Sequence, residues 1–258
     1  HYQPRYAGDE LPSTPESLAV ALADKIETLT GLFGIGQLPT GEKDPFALRR
    51  HALGILRMLI EKELPLSLDK LIAIGTEEES VVPGVKDATE ELKQFFHDRL
   101  RVMQKDQGFT AHEVESVIGS EPAILADVPK RLKAVHDFMS LPEAESLAAA
   151  NKRIENILKK NTLPLADAVD PALLTEKEEK DLYEAIRTLE PKLEADYKAG
   201  RYEDELRSLA PLKAPVDAFF DKVMVNAEDE ALRRNRLTLL NELHKAMNQV
   251  AKLSCLAS

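Results

Sequence analysis

The sequence lacks tryptophan, contains a single cysteine and has no long apolar run. The one cysteine, Cys255, excludes an internal disulfide and is typical of proteins kept in a reducing compartment. No stretch of about eighteen apolar residues occurs, so no membrane span is predicted, and the N-terminus has no secretory signal pattern. Because the chain begins at His1 rather than Met, we expect it to be part of a longer protein.

Positive charge is scarce as well. The 34 basic residues face 45 acidic ones, which gives a net charge of −11. This balance argues against a protein that coats nucleic acid nonspecifically, because attraction to phosphates supplies most of such binding. The acidity is uneven: residues 170–221 include 14 acidic and 8 basic side chains, whereas residues 226–258 include 4 and 5. The C-terminal segment can therefore meet an anionic partner.

The sequence motifs that would indicate phosphate binding, metal binding or catalysis are incomplete. A phosphate-binding loop needs lysine directly after its second glycine, but Glu42 follows Gly41 and Asp44 would repel phosphate. His97 and His136 each precede an aspartate, but neither has a second histidine at metal-ligand spacing. We therefore predict a chain with no catalytic residue and no metal site of its own.

Apolar residues recur with helical spacing along the whole chain, and no segment alternates with period two. The first predicted helix starts near Ser13, which stands at capping-box spacing from Glu16. Further helices are predicted at 87–106 and at about 143–160, and Pro191 is expected to kink or break the helix that contains it. The predicted fold class is all-α.

A glycine-rich segment leads into the second predicted helix. Asp44 is expected to accept hydrogen bonds from the first free N–H groups of that helix, with Pro45 at its first position. Arg50, Gly54 and Arg57 share one helix face. Since glycine costs helix stability, Gly54 indicates close approach of another backbone. The alternative is a solvated face beside tightly packed helices.

The last predicted helix has a polar face opposite its leucines. Spacings of three and four place six residues there: Arg234, Thr238, Asn241, Lys245, Asn248 and Lys252. None of the six is acidic, and such side chains can contact phosphates, 2′-hydroxyls and base edges of RNA. An ordinary solvated helix face is the alternative.

Residues 33–50, which have the sequence FGIGQLPTGEKDPFALRR, resemble the β subunit of bacterial tetrameric glycyl-tRNA synthetase. Residues 1–12 and 21–25 are similar to the same family, and the resemblance covers essentially the whole chain. The C-terminal region resembles the DALR-type anticodon-binding domain, a helical bundle shared by several aminoacyl-tRNA synthetases. The segments that carry this second resemblance are NKRIENILK at 151–159, FFDKVMV at 219–225 and DEALRRNRL at 229–237.

The resemblance implies three regions. Residues 1–62 would be the end of an HD-like helical domain, residues 63–141 a helical body or linker region, and residues 142–258 the DALR-type anticodon-binding bundle. Metal-binding HD domains use a final aspartate in a setting that Asp24 resembles. Because the histidine ligands of such a site cannot be assigned here, we expect Asp24 to be a structural remnant.

The resemblance also implies a function. In this family the α subunit houses aminoacylation, with its ATP and Mg, and the β subunit supplies most of the tRNA contact. The chain is expected to be a cytoplasmic, noncatalytic portion of glycine–tRNA ligase without a cofactor of its own. Its implied partners are tRNA(Gly), the α subunit and the remainder of β, not DNA or a membrane. Two alternatives remain open: a structural helical scaffold for α/β assembly without direct tRNA readout, and an HD-type phosphohydrolase that requires a bound metal.

The candidate contact residues follow from these patterns and resemblances. The residues expected to bind tRNA are Lys152, Arg153, Arg233, Arg234, Arg236, Asn241, Lys245, Asn248 and Lys252. The residues expected to contact tRNA or another subunit are Arg49, Arg50 and Arg57. The arginines of the DALR motif have a second interpretation, since they can brace helices rather than touch RNA.

Overall fold

The structure, a computed structural model, describes residues 2–258 and confirms the all-α prediction. The α-helices are α1 Pro15–Gly34, α2 Leu48–Glu61, α3 Leu68–Glu79, α4 Thr89–Asp106, α5 Ala111–Ile118, α6 Val128–Phe138, α7 Ala144–Lys160, α8 Lys177–Lys198, α9 Tyr202–Arg207, α10 Lys213–Lys222 and α11 Glu230–Met247. Short 3-10 segments lie at Leu125–Asp127, Pro171–Leu173, Ala210–Leu212 and Leu253–Leu256. The described part contains no extended strand, only isolated bridges.

The first compact unit contains the residues up to Phe109 together with Glu121–Pro129. Within it α1 packs against α2, α3 and α4, and its core includes the fully buried Leu29, Leu56 and Phe96. Gly75 permits the close approach of α3 to α1, because a Cβ there would lie 2.8 Å from Cγ2 of Thr30.

The second compact unit contains Thr110–Ser120 and Lys130–Ser258. In this unit α7 packs against α10, α11 and the C-terminal 3-10 segment, while α8 packs against α9, α10 and α11. Leu147, Phe219 and Leu243 are fully buried at these contacts. The division of the chain into 1–62, 63–141 and 142–258 stays a prediction.

Two helix starts differ from the sequence prediction by a few residues. The capping box of α1 joins Thr14 and Ser17, so Ser13 lies outside it. Asp44 accepts from the backbone N–H groups of Leu48 (2.8 Å) and Arg49 (3.0 Å), as predicted, but α2 begins at Leu48 rather than at Pro45. The Asp44 carboxylate therefore caps α2 from outside the helix, because it bonds to N–H groups four and five residues further along the chain.

The sequence predicts that Pro191 kinks or breaks its helix. It lies exposed inside α8, and the helix continues to Lys198. The break is therefore absent. None of the described helices combines the length and the apolar character needed to cross a bilayer.

Candidate nucleic-acid interface

Two adjoining hollows run along α7 and share Ile157 and Lys160. The first, about 340 Å³, is lined by Ala149, Lys152, Arg153, Asn156, Ile157, Lys160, Ala257 and Ser258. The second, about 560 Å³, is lined by Ile157, Lys160, Asn161, Thr162, Leu163, Asn226, Arg233 and Leu237. We call these residues the α7 surface. None of them is Asp or Glu, although the chain as a whole is strongly acidic.

The sequence of α7 explains why this face is basic. Leu147 and Ile154 turn toward the core and are fully buried, so the residues offset from them face solvent. Lys152, Asn156 and Lys160 step by four along the exposed side, where successive turns place them one above the other. Within the described chain no carboxylate forms an ion pair with Lys152 or Lys160. Their charge is therefore available to a partner.

Arg153 is held in place by an aromatic ring. Its guanidinium lies 4.2 Å from the ring centroid of Phe220, at cation–π distance. Phe220 in turn meets the buried Phe219 edge to face, with centroids 5.6 Å apart. Since Arg153 remains exposed while its position is fixed, less side-chain entropy is lost when it binds an anion.

The second hollow is shaped by the loop after α7 and by the start of α11. Asn161 donates from Nδ2 to the Leu163 carbonyl (2.7 Å) and accepts from the Leu163 N–H (2.9 Å), which fixes the turn. Arg233 donates from Nη1 to the Ala227 carbonyl at 3.3 Å and is half-buried. The hollow thus combines a positioned arginine with amide side chains.

The polar face predicted on α11 is only partly open to solvent. Thr238 is 1% exposed, and its hydroxyl accepts from the Ala166 N–H at 3.2 Å. Arg234 forms an ion pair with Glu230, one turn earlier, at 2.9 Å. An acidic side chain and the loop after α7 therefore interrupt the face.

The remaining residues of the polar face of α11 differ in how accessible they are to a binding partner. Asn248 donates to the His244 carbonyl (2.6 Å) and accepts from the Leu253 N–H (3.0 Å), so it positions the C-terminal 3-10 segment. Lys245 is exposed, and Asn241 and Lys252 are half-buried. Binding of tRNA by these residues stays a prediction.

Arg236, a predicted tRNA contact, is used inside the protein. Its Nε donates to Oε1 of Glu179 (2.7 Å) and its Nη1 donates to the Met224 carbonyl (2.7 Å). Asn235 exchanges two hydrogen bonds with the backbone of Asp170, at 2.8 and 3.0 Å. Since a buried charge needs such partners, Arg236 braces α11 against α8.

The arginines of α2 have mixed roles. Arg57 donates to the Asp9 carbonyl (2.9 Å) and pairs with Glu61 (2.7 Å), which makes it a structural contact of the first unit. Arg49 donates to the Gly41 carbonyl at 2.6 Å, whereas Arg50 is exposed.

The sequence predicts that Gly54 marks the close approach of another backbone. A Cβ at this position would lie 3.0 Å from Cε of Lys25 and 3.2 Å from Cγ of Pro4. The close neighbours are therefore side chains of the first unit, and the approach is intramolecular.

Asp24 lies on the same side of the first unit as His51, beside a small hollow. Burial lowers the pKa of His51, and the nearby charge of Lys25 lowers it further. Among residues 2–258 no group of three or more His, Cys, Asp or Glu side chains is arranged to hold a metal ion. The described residues thus provide no ligand set for Asp24 to join.

Comparison with known proteins identifies the class to which this arrangement belongs. Residues 147–254, which contain most of the α7 surface, match the family model of the DALR anticodon binding domain. Residues 1–119 match the model described as glycyl-tRNA synthetase beta subunit. The two matches place the chain among aminoacyl-tRNA synthetase subunits. Over its whole length the chain is similar to the C-terminal part of glycyl-tRNA synthetase beta subunits.

Three relatives illustrate the match. The chain is 55% identical to the glycine–tRNA ligase beta subunits of Delftia acidovorans and Polaromonas naphthalenivorans, and 54% identical to that of Dechloromonas aromatica. Each alignment covers 100% of this chain and 36% of the relative. The chain thus spans little more than a third of the length of these relatives.

Asn156, Lys160, Asn161 and Asn226 belong to the α7 surface but were not among the predicted contacts. The spacing of Lys152, Asn156 and Lys160 by four was visible in the sequence. Asn161 and Asn226 could not be found that way, because they reach the surface from two separate loops.

Proposed function

We propose that this chain is the tRNA-binding portion of a glycine–tRNA ligase beta subunit, and that its α7 surface holds the anticodon arm of tRNA(Gly). The α subunit carries out ATP-dependent activation and transfer of glycine, with ATP and Mg bound there. This portion of β is noncatalytic and acts in the cytoplasm by positioning the tRNA. The observation that carries the proposal is the acid-free, partly pre-positioned α7 surface inside the region that matches an anticodon-binding domain.

The side chains of the α7 surface suit RNA. Lys152, Lys160 and Arg153 can contact phosphate oxygens, which supply much of the affinity for nucleic acid. The amides of Asn156 and Asn226 offer both donors and acceptors, as recognition of unstacked bases requires. A loop of single-stranded bases such as an anticodon presents those edges.

Part of α11 extends the proposed contact. Lys245 is exposed, and Asn241 and Lys252 are half-buried, so a polynucleotide can reach them. Arg234 contributes less, because its charge is already shared with Glu230. Arg236 contributes nothing directly, since its guanidinium is buried against Glu179.

A double substitution tests the α7 surface. Lys152→Ala with Lys160→Ala is expected to weaken binding of tRNA(Gly) about tenfold and to reduce the slope of log K against log salt by about 2. The matched control is Lys180→Ala with Lys198→Ala, which removes two exposed lysines from α8. Unchanged affinity in the first variant, or an equal loss in the control, would contradict the proposal.

A structural scaffold for the α subunit is the second candidate. It is favoured by three exposed apolar side chains, Ile35, Leu38 and Phe46, on the glycine-rich loop of the first unit. Under this alternative, replacing all three by serine would release the α subunit while the affinity for tRNA stays unchanged. Docking through apolar side chains would also respond weakly to salt, unlike phosphate contacts.

A further inference from the structure

A groove of about 460 Å³ lies in the first unit, between the N-terminal segment, the start of α2 and the end of α4. We call it the Tyr6 groove. Three arginines line it, Arg49, Arg50 and Arg99, against a single carboxylate, that of Asp106. In a chain with a net charge of −11, such a local excess of positive charge indicates an anionic ligand.

The arginines are prepared for an anion in different ways. Arg49 is anchored by its 2.6 Å hydrogen bond to the Gly41 carbonyl, which leaves its other N–H groups free. Arg50 is exposed and has no ion-pair partner within the described residues. Nε of Arg99 is buried and lacks a hydrogen-bond partner, so a small rotation toward a bound oxygen would satisfy a donor that is now unpaired.

Apart from Asp106 and Gln107, the rest of the groove is apolar or aromatic. Tyr6 is 57% exposed and Val102 47% exposed, and Met103 lies beside them. An exposed tyrosine ring offers a stacking surface that any nucleobase can use.

The segment that carries Tyr6 is fixed by its neighbours. The Tyr6 carbonyl accepts a hydrogen bond from the Asp9 N–H at 3.1 Å, and the Asp9 carboxylate accepts one from the backbone N–H of Arg5 at 2.7 Å. Arg57 donates to the Asp9 carbonyl, which ties the turn to α2. The backbone that carries the Tyr6 ring is therefore held at the rim of the groove before a ligand arrives.

We propose that the Tyr6 groove binds a nucleotide, with the phosphate on Arg49, Arg50 and Arg99 and the base against Tyr6. Its volume lies in the range of pockets that hold small ligands. An arginine can donate two parallel N–H hydrogen bonds to the oxygens of one phosphate. The ring of Tyr6 gives the base a stacking partner, which a carboxylate-bearing peptide would not use. This proposal does not depend on the α7 surface, which belongs to the other unit.

The test measures binding of adenosine 5′-monophosphate, adenosine, inorganic phosphate and a hexaadenylate RNA to the full chain. The monophosphate is expected to bind at least about tenfold more tightly than adenosine or phosphate alone, because only it uses both parts of the groove. Arg50→Glu and Tyr6→Ala should each weaken its binding, by about tenfold and severalfold. Lys105→Glu is the matched control: it changes the charge equally on α4 without lining the groove, and it should leave binding unchanged.

A nucleotide can reach the groove either free in solution or as part of an RNA chain, and the hexaadenylate distinguishes these two sources. If it binds more tightly than the monophosphate and is competed by it, the groove takes a nucleotide within RNA; equal affinities indicate a free nucleotide. The proposal is overturned if the monophosphate fails to bind at about 5 mM, if Lys105→Glu weakens it as much as Arg50→Glu, or if a hexaglutamate peptide binds equally well. Loss of tRNA binding in Lys152→Ala with Lys160→Ala leaves these results unaffected, so the two proposals fail separately.

Discussion

Arg236 and Glu179 form an ion pair inside the second unit, with Nε of the arginine 2.7 Å from Oε1 of the glutamate. Their side chains are 7% and 0% exposed. The pair joins α11 to α8, and the same guanidinium also binds the Met224 carbonyl. A motif arginine that suggested RNA contact in the sequence thus stabilises the helical bundle that carries the α7 surface.

Removing Glu179 leaves the buried charge of Arg236 without a counter-ion. Glu179→Ala is expected to lower the free energy of unfolding by about 3–5 kcal/mol, measured by urea unfolding followed by circular dichroism. The control is Asp181→Ala, which removes the exposed pair between Lys177 and Asp181 and should cost less than about 1 kcal/mol. Equal costs for the two variants would show that the buried pair is not a structural brace.

Glu205 makes the stability of the second unit depend on pH. Its side chain is 0% exposed, and both carboxylate oxygens lack hydrogen-bond partners. Burial, with a smaller contribution from the negative charge of Asp196, raises its pKa from 4.5 to about 8, while Arg131 and Lys192 act in the opposite direction. Below pH 4.5 the carboxyl is neutral in both folded and unfolded chains, so burial of the neutral group carries no pH-dependent cost.

As the pH rises from 4.5 to 8, the unfolded chain releases this proton and the folded chain retains it, so stability falls; above pH 8 the loss is complete. Glu205→Gln removes the titration. The stability advantage of this variant over the unaltered chain should grow by about 2–3 kcal/mol between pH 6 and pH 9. Glu184→Gln, which alters an exposed glutamate of α8, should show no such growth. A constant advantage across this range would mean that Glu205 does not titrate there.

Asp44 caps α2 through two backbone N–H groups at 2.8 and 3.0 Å. Asp44→Ala should therefore destabilise the first unit by about 1–2 kcal/mol in urea unfolding. Glu42→Ala is the matched control, because it removes an exposed carboxylate from the same loop. If both variants unfold at the same urea concentration, the cap contributes nothing.

Phe220 positions Arg153 through a contact of 4.2 Å. Phe220→Leu keeps every charge but removes the ring, so the affinity for tRNA(Gly) should fall by a few fold as Arg153 loses its fixed position. Phe46→Leu, a change at an exposed ring of the first unit, should leave the affinity unaltered. An unaffected Phe220→Leu variant would mean that the stacked geometry is not used in binding.

The fold could be predicted because helical periodicity is local information. The apolar stripes of α4 and α7, and the capping role of Asp44, follow from residues within a few turns of one another. The start of α2 was misplaced because Asp44 reaches its N–H groups from outside the helix, with Ala47 in a left-handed conformation between them.

The candidate site was harder to predict because burial depends on distant segments. The face of α11 looked uniform in sequence, yet Ala166, far away along the chain, covers Thr238. Arg236 and Arg233 are three residues apart, but only the first meets a buried glutamate from α8. The α7 surface likewise depends on Asn226 and Asn161 coming together, which no periodicity encodes.

If the α7 surface recognises the anticodon arm, the chain should distinguish tRNA(Gly) from the same tRNA with its anticodon cytosines replaced. Binding of the chain to these two tRNAs is compared at two salt concentrations. The native tRNA is expected to bind more tightly, with a preference that Asn156→Ala diminishes, whereas Lys152→Ala with Lys160→Ala weakens binding of both tRNAs alike. Equal affinity for the two tRNAs, or no binding at low salt, would contradict recognition of the anticodon arm by the α7 surface.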